Sequence, residues 1–220
     1  MMEETQEKKS WARTIQISIL LFIIVVSPAL SWYYLRSGVA YRKSSLAELK
    51  DYGAMSFHDW KLVNHKPISA DSLTGRIVIV NIVNPTTSLG TKSTEKMNKL
   101  FEQFKDRRDV VLCTFLTDFD SLNTIAFAQK NNPKRYVNYW FSSTSGENYK
   151  QLVEGLKLSQ KGDFSASECP YMVYIDMKGI VRNFYDVNDN MQLGRLVEHI
   201  AMKLTIDPFD TPEIKRVQEK

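Results

Sequence analysis

The sequence predicts an α/β domain, a central mixed sheet flanked by helices, carried behind one N-terminal transmembrane helix. Three observations predict it. Residues 14–35 form a run of 22 residues without a charge, long enough to cross a bilayer as a helix. Two β-branched runs, residues 77–83 (IVIVNIV) and 110–116 (VVLCTFL), read as strands buried on both faces. Amphipathic helices alternate with these and later strands, the order that builds a mostly parallel sheet covered on both sides.

The elements follow in order. The apolar run ends in Trp32, Tyr33 and Tyr34, an interfacial aromatic belt, with Arg36 beyond it. Pro28, near its outer end, predicts a kink more than a break. A cleaved signal peptide is the rival reading, since Ser27-Pro28-Ala29 is a passable small-residue site. The apolar run continues past that site, however, and Glu3, Glu4 and Glu7 precede it, so an uncleaved anchor is expected. Lys8, Lys9 and Arg13 before the span nearly balance Arg36, Arg42, Lys43 and Lys50 after it, so charge alone orients it poorly. A short tail ahead of a single span places residues 1–13 in the cytoplasm and exports the rest. The expected address is a bacterial inner membrane, with the soluble domain facing the periplasm.

Residues 36–54 read as a linker containing a short helix over 44–52, with Leu46 and Leu49 as its apolar contacts. The domain proper is expected over 55–205, opening with a hairpin from 57–63 through the Asn64-His65-Lys66-Pro67 turn. After the strand at 77–83 comes the loop Asn84-Pro85-Thr86-Thr87-Ser88-Leu89-Gly90, then a helix over 92–105 carrying Met97, Leu100, Phe101 and Phe104. The strand at 110–116 leads to a helix over 121–130, an extended stretch over 136–141 and a helix over 147–156. Residues 171–176 and 180–185 read as a hairpin joined at Met177-Lys178-Gly179. Leu193, Leu196, Val197, Ile200, Ala201 and Leu204 mark a final amphipathic helix, and 206–220 is a charged tail.

Composition excludes several function classes. The 220 residues are 43% hydrophobic and 25% charged with a net charge of +4, ordinary for one globular domain plus an extra segment. No basic run or basic–aromatic stripe points to nucleic acid. Two cysteines, Cys113 and Cys169, are too few for a disulfide framework or a metal cluster. Cys113 lies mid-strand and reads as core. His58, His65 and His199 are too dispersed to form a metal site, and His199 falls on what reads as the polar side of the last helix. Asp118 and Asp120 follow the second strand and read as turn and cap residues. There is no Ser-His-Asp set and no phosphate-cradling glycine loop. No enzyme activity and no small-molecule substrate are expected.

A family resemblance then emerges from four segments. Residues 55–81 resemble the start of Sco/SenC proteins, where an F-x-L strand precedes L-x-G-K-V-x-L-V-x-F. Glu95-Lys96-Met97 resembles the helix after that family's metal site. Tyr139-Trp140-Phe141-Ser142-Ser143-Thr144-Ser145-Gly146 is similar to its W-x-F-L-T-G segment, and residues 172–181 to its Y-L-I-D-x-x-G hairpin. The resemblance spans roughly residues 55–204 and implies a thioredoxin-like fold with a role near cytochrome oxidase, delivering or reducing copper with a C-x-x-x-C pair and a distal histidine.

The sequence departs from that pattern at all three ligand positions. Counting back from Met97 without gaps places the two cysteines at Thr86 and Gly90; matching Asn84-Pro85-Thr86-Thr87 to Cys-Pro-Thr-Thr places them at Asn84 and Ser88. The histidine falls at Glu168. Cu(I) selects thiolates, Cu(II) imidazole and thiolate, and disulfide exchange needs a thiolate. No cofactor and no copper binding are therefore expected. Cys169-Pro170 remains as an interaction or redox-sensitive candidate, beside a proline that is often cis in thioredoxin-like folds. The expected function is a degenerate Sco-like accessory or structural subunit of a membrane respiratory complex such as cytochrome oxidase, or an assembly factor for one. The alternative is a working copper chaperone or thiol–disulfide reductase with non-standard ligands such as Cys169.

Overall fold

The computed structural model describes residues 3–56, 60–61, 67–68, 73–118, 120–162 and 169–204. His58, His65 and Glu168 lie outside them, as does most of the first hairpin. The chain divides into two units, residues 1–48 and 49–220.

The first unit is one helix, α1 (Glu3–Ala47). Its segment Ile15–Ala47 is long and apolar enough to cross a membrane, and Phe22 is 64% exposed within it. Pro28 sits inside without ending it. The separate helix expected over 44–52 is absent: α1 runs through to Ala47, and the chain then leaves helical geometry. Nothing between Leu35 and Ala47 breaks a helix, since Gly38 alone costs only about 1 kcal/mol. At 45 residues and about 1.5 Å per residue, α1 is roughly twice the thickness of a bilayer core.

The second unit starts with Leu49 rather than near Met55. Its first residues are extended because they pair with a later strand: Lys50 N–H donates to Arg182 O at 3.0 Å and Tyr52 N–H to Val181 O at 3.0 Å. A two-residue ladder, β1 (Trp60–Lys61) with β2 (Pro67–Ile68), is the described part of the first hairpin.

The central sheet has five strands in the order β5-β4-β3-β6-β7. β3 (Ile77–Val83) runs parallel to β4 (Val110–Thr117), and β4 parallel to β5 (Tyr139–Thr144). β6 (Tyr171–Ile175) returns antiparallel to β3, and β7 (Val181–Asp186) antiparallel to β6. All seven residues of β3 are buried, so its continuous apolar run reflects cover on both faces. α2 (Ser88–Phe104), α3 (Ser121–Asn131), α4 (Gly146–Gly155) and α5 (Asn190–Lys203) supply that cover. α2 begins four residues before the expected Lys92, and β5 begins at Tyr139 rather than residue 136.

Strand alternation divides the core. On one face Val78, Val80, Ile82, Cys113, Phe115 and Val173 meet Leu152 of α4 and Leu156 just beyond its end. On the other, Ile77, Ile79, Leu112, Phe141 and Met172 meet Met97, Leu100 and Phe101 of α2 and Leu196 and Ile200 of α5.

Candidate functional site

β3 delivers the chain into residues 84–90 at the end of the sheet where β4 also finishes and β6 begins. Asn84, 7% exposed, organises this turn. Its Oδ1 accepts from Thr86 N–H at 3.0 Å and from Thr86 Oγ1–H at 2.7 Å. Its carbonyl accepts from Thr87 N–H at 3.1 Å and Thr87 Oγ1–H at 2.9 Å. Thr87 is the N-cap of α2, its Oγ1 accepting from Gly90 N–H at 3.0 Å. An Asx turn thus hands over directly to a capped helix.

Two further residues lock the loop. Asn84 Nδ2–H donates to Asp118 Oδ2 at 3.0 Å, tying the end of β3 to the end of β4. Asp118 has φ 58°, left-handed geometry that Asp tolerates better than most residues. Gly90 packs so closely on the preceding turn that a Cβ there would lie 1.8 Å from Asn84 O. No side chain fits that position with this backbone. Of the two registers that the resemblance offers for a cysteine pair, Thr86/Gly90 therefore puts one where only glycine is accommodated, whereas Ser88 is exposed. Beneath the loop, Ser93 Oγ–H donates to Asn81 Oδ1 at 2.9 Å, a buried polar link from α2 to β3.

The donor set does not fit copper. The loop offers hard oxygens and an amide, and the Asn84, Thr86 and Thr87 groups already serve the turn's own hydrogen bonds. Soft thiolate or imidazole is what either copper oxidation state would need. Among the described residues, no three His, Cys, Asp or Glu side chains gather as a metal site.

Antiparallel pairing of β6 on β3 brings the Cys169–Pro170 segment to the same sheet end as Asn84. Its thiol, however, faces inward. Cys169 is 3% exposed among the residues on the α4 face, and Sγ–H points toward Tyr171 O at 3.9 Å. Burial pushes its pKa up to about 11, partly offset by the backbone hydrogen bond. The Cys169–Pro170 bond is trans, contrary to the isomer common at this place in the fold. Cys113 shares the α4 face from β4, two strands away from β6 with β3 between. Burial raises its pKa further still. Both cysteines are free.

His199 corrects the sequence reading. It is fully buried, not on a polar face. Leu196, His199 and Ile200 form the inward stripe of α5, at i, i+3 and i+4, and Tyr185 OH shares a 2.6 Å hydrogen bond with His199 Nδ1. The polar partner on β7 is what makes the histidine's burial affordable, and helical spacing alone could not reveal it. Asp120 behaves as read, capping α3 by accepting from Asn123 N–H at 2.7 Å.

No protein-family model matches the chain, and no curated protein matches it in sequence. Solved structures do match. A putative protein disulfide isomerase from Bacteroides thetaiotaomicron aligns with TM-score 0.55 at 18% identity, covering 71% of this chain and 91% of its own. A SCO1/SenC family lipoprotein from Bacillus anthracis aligns with TM-score 0.53 at 17% identity, covering 68% and 94%. BsSco, a member of the Sco family of cytochrome c oxidase assembly proteins, aligns with TM-score 0.51 at 16% identity, covering 71% and 97%. Identities this low speak to fold, and the conclusion is plain: the domain after α1 has the thioredoxin-like fold, similar in structure to Sco/SenC proteins and disulfide oxidoreductases.

Proposed function

We propose that this protein is a membrane-anchored, Sco-like thioredoxin-fold protein without copper or thiol chemistry. It acts as an accessory or structural subunit of a membrane respiratory complex such as cytochrome oxidase, or as an assembly factor for one. The reading places α1 in a bacterial inner membrane and the domain in the periplasm. One observation carries it: where the resemblance puts the paired cysteines, the chain has a self-satisfied turn of Asn84, Thr86 and Thr87 with its side chains spent on each other. Burial of Cys169 and its raised pKa count against a substitute nucleophile.

The same sheet end supports docking as the role. Leu122 at the start of α3 is 78% exposed and Met191 at the start of α5 is 81% exposed. These helices follow the C-terminal ends of β4 and β7, the end at which residues 84–90 also lie. On this proposal both exposed apolar side chains contribute to the contact surface. Native membranes solubilised in mild detergent test this: the protein should co-migrate with a larger complex, and Leu122→Asp with Met191→Asp should release it. Migration of the wild-type chain only as a monomer would contradict the subunit reading and leave transient assembly.

A further inference from the structure

α2 and α5 lie side by side on one face of the sheet, and between them is a cleft of about 200 Å³. Its floor is apolar: Leu100 of α2, Met172 of β6, and Leu193 and Val197 of α5. Its rim on α2 is cationic, carrying Lys96 and Lys99, and no lining residue is acidic. Across the gap the lysines meet neutral amides. Lys96 Nζ donates to Asn190 Oδ1, and Lys92, one turn earlier, donates to Asn188 Oδ1 at 2.8 Å. Lys105, by contrast, pairs with a carboxylate, Glu102 at 2.9 Å.

Gly194 opens this cleft, and nothing in the fold requires a glycine there. It sits inside α5 with no positive φ, where glycine costs about 1 kcal/mol relative to alanine. A Cβ built on it meets nothing within 4 Å. Contrast Gly90, which the backbone enforces. Gly194 is exposed at the cleft's edge, so a larger apolar residue there would strengthen the helix and project over the cleft mouth.

We propose that this cleft binds a small anionic amphiphile with an alkyl or aryl body and one carboxylate. The body lies on Leu100, Leu193 and Val197, and the carboxylate meets the Lys96 and Lys99 ammonium groups. The volume admits about ten non-hydrogen atoms at roughly 20 Å³ each, the size of octanoate. An apolar floor gives affinity, and a pair of cations selects the acid over the alcohol. This assignment is independent of the docking role proposed above.

The test uses the full chain in phosphatidylcholine nanodiscs, titrated with carboxyl-¹³C octanoate and compared with empty discs and with octanol. Saturable one-to-one binding of octanoate, at least tenfold tighter than octanol, is expected. Gly194→Leu should abolish it, and Lys96→Glu with Lys99→Glu should weaken it at least tenfold without touching the packed floor. Gly194→Ala should retain binding and raise Tm. Binding no greater than to empty discs, or binding indifferent to both the Gly194→Leu and the double lysine variants, would overturn the proposal. Saturable binding of an acidic amphipathic peptide, blocked by the same variants while octanoate fails to bind, would also overturn it and give the cleft to a protein partner.

Discussion

The two faces of the central sheet solve the same burial problem differently. The α4 face carries both thiols, with Cys113 and Cys169 packed among its apolar side chains as small hydrophobes. The α2/α5 face admits polar groups, several of them paired: Asn81 Oδ1 with Ser93, Tyr139 OH donating to Asn98 Oδ1 at 2.9 Å, and Tyr185 with His199. The difference teaches where chemistry can reside. Sulfur on the first face is buried, and burial raises the pKa of both thiols, which disfavours the thiolate. The second face meets solvent through a hydrogen-bonded turn and an open cleft, which is where the proposed recognition would act.

The largest effect should come from restoring a thiol in the wrong register. Gly90→Cys drives a Cβ into Asn84 O, and its cost should exceed about 3 kcal/mol in denaturant unfolding, at the upper end for overpacking. Ser88→Cys, at an exposed position, should stay within about 0.5 kcal/mol. Equal tolerance of both would show that the turn yields and that its geometry does not bar a thiol.

The thiol face gives the next effect. With its pKa pushed up to about 11 by burial, Cys169 should hold about 100-fold less thiolate at pH 8 than an ordinary cysteine near 8.5–9. Alkylation of the native chain at pH 8 should be slow at both cysteines and fast once guanidinium unfolds it. The sign for stability follows. Below pH 9 the thiol is protonated in folded and unfolded chains alike; between about 9 and 11 only the unfolded chain ionises, so stability should fall as pH rises through that window. Rapid labelling of Cys169 at pH 8 would break the contrast between the faces.

Smaller effects probe the polar face. Tyr185→Phe leaves His199 Nδ1 without that bond and should cost about 1–3 kcal/mol, whereas His199→Leu, which removes the polar ring altogether, should cost less if Tyr185 then finds another partner. Asp120→Ala removes the cap of α3 and should cost about 1 kcal/mol in thermal unfolding.

Much of this architecture was legible in the sequence. The runs at residues 77–83 and 110–116 name their strands because double burial demands apolar residues at every position. The hairpin at 171–185 is readable because Gly179 takes φ 74° in its turn. Boundaries governed by hydrogen bonds were not legible. Residues 49–54 lie extended because Arg182 and Val181 offer carbonyls, and α2 starts at Ser88 because Thr87 caps it. At the site, the absence of thiols could be read directly, and so could the inward nature of Cys113. The need for glycine at 90, the Asn84–Asp118 tie and the Tyr185 partner of His199 all depend on residues 6 to 34 positions away, which no local pattern encodes.

Anaerobic Cu(I) titration of the full chain in mild detergent, against a competing chelator and alongside a Cys113→Ser/Cys169→Ser variant, tests the central claim most directly. The account predicts no stoichiometric tight site in either protein. One-to-one binding at sub-nanomolar Kd that disappears in the variant would contradict it and return the chain to copper and thiol chemistry.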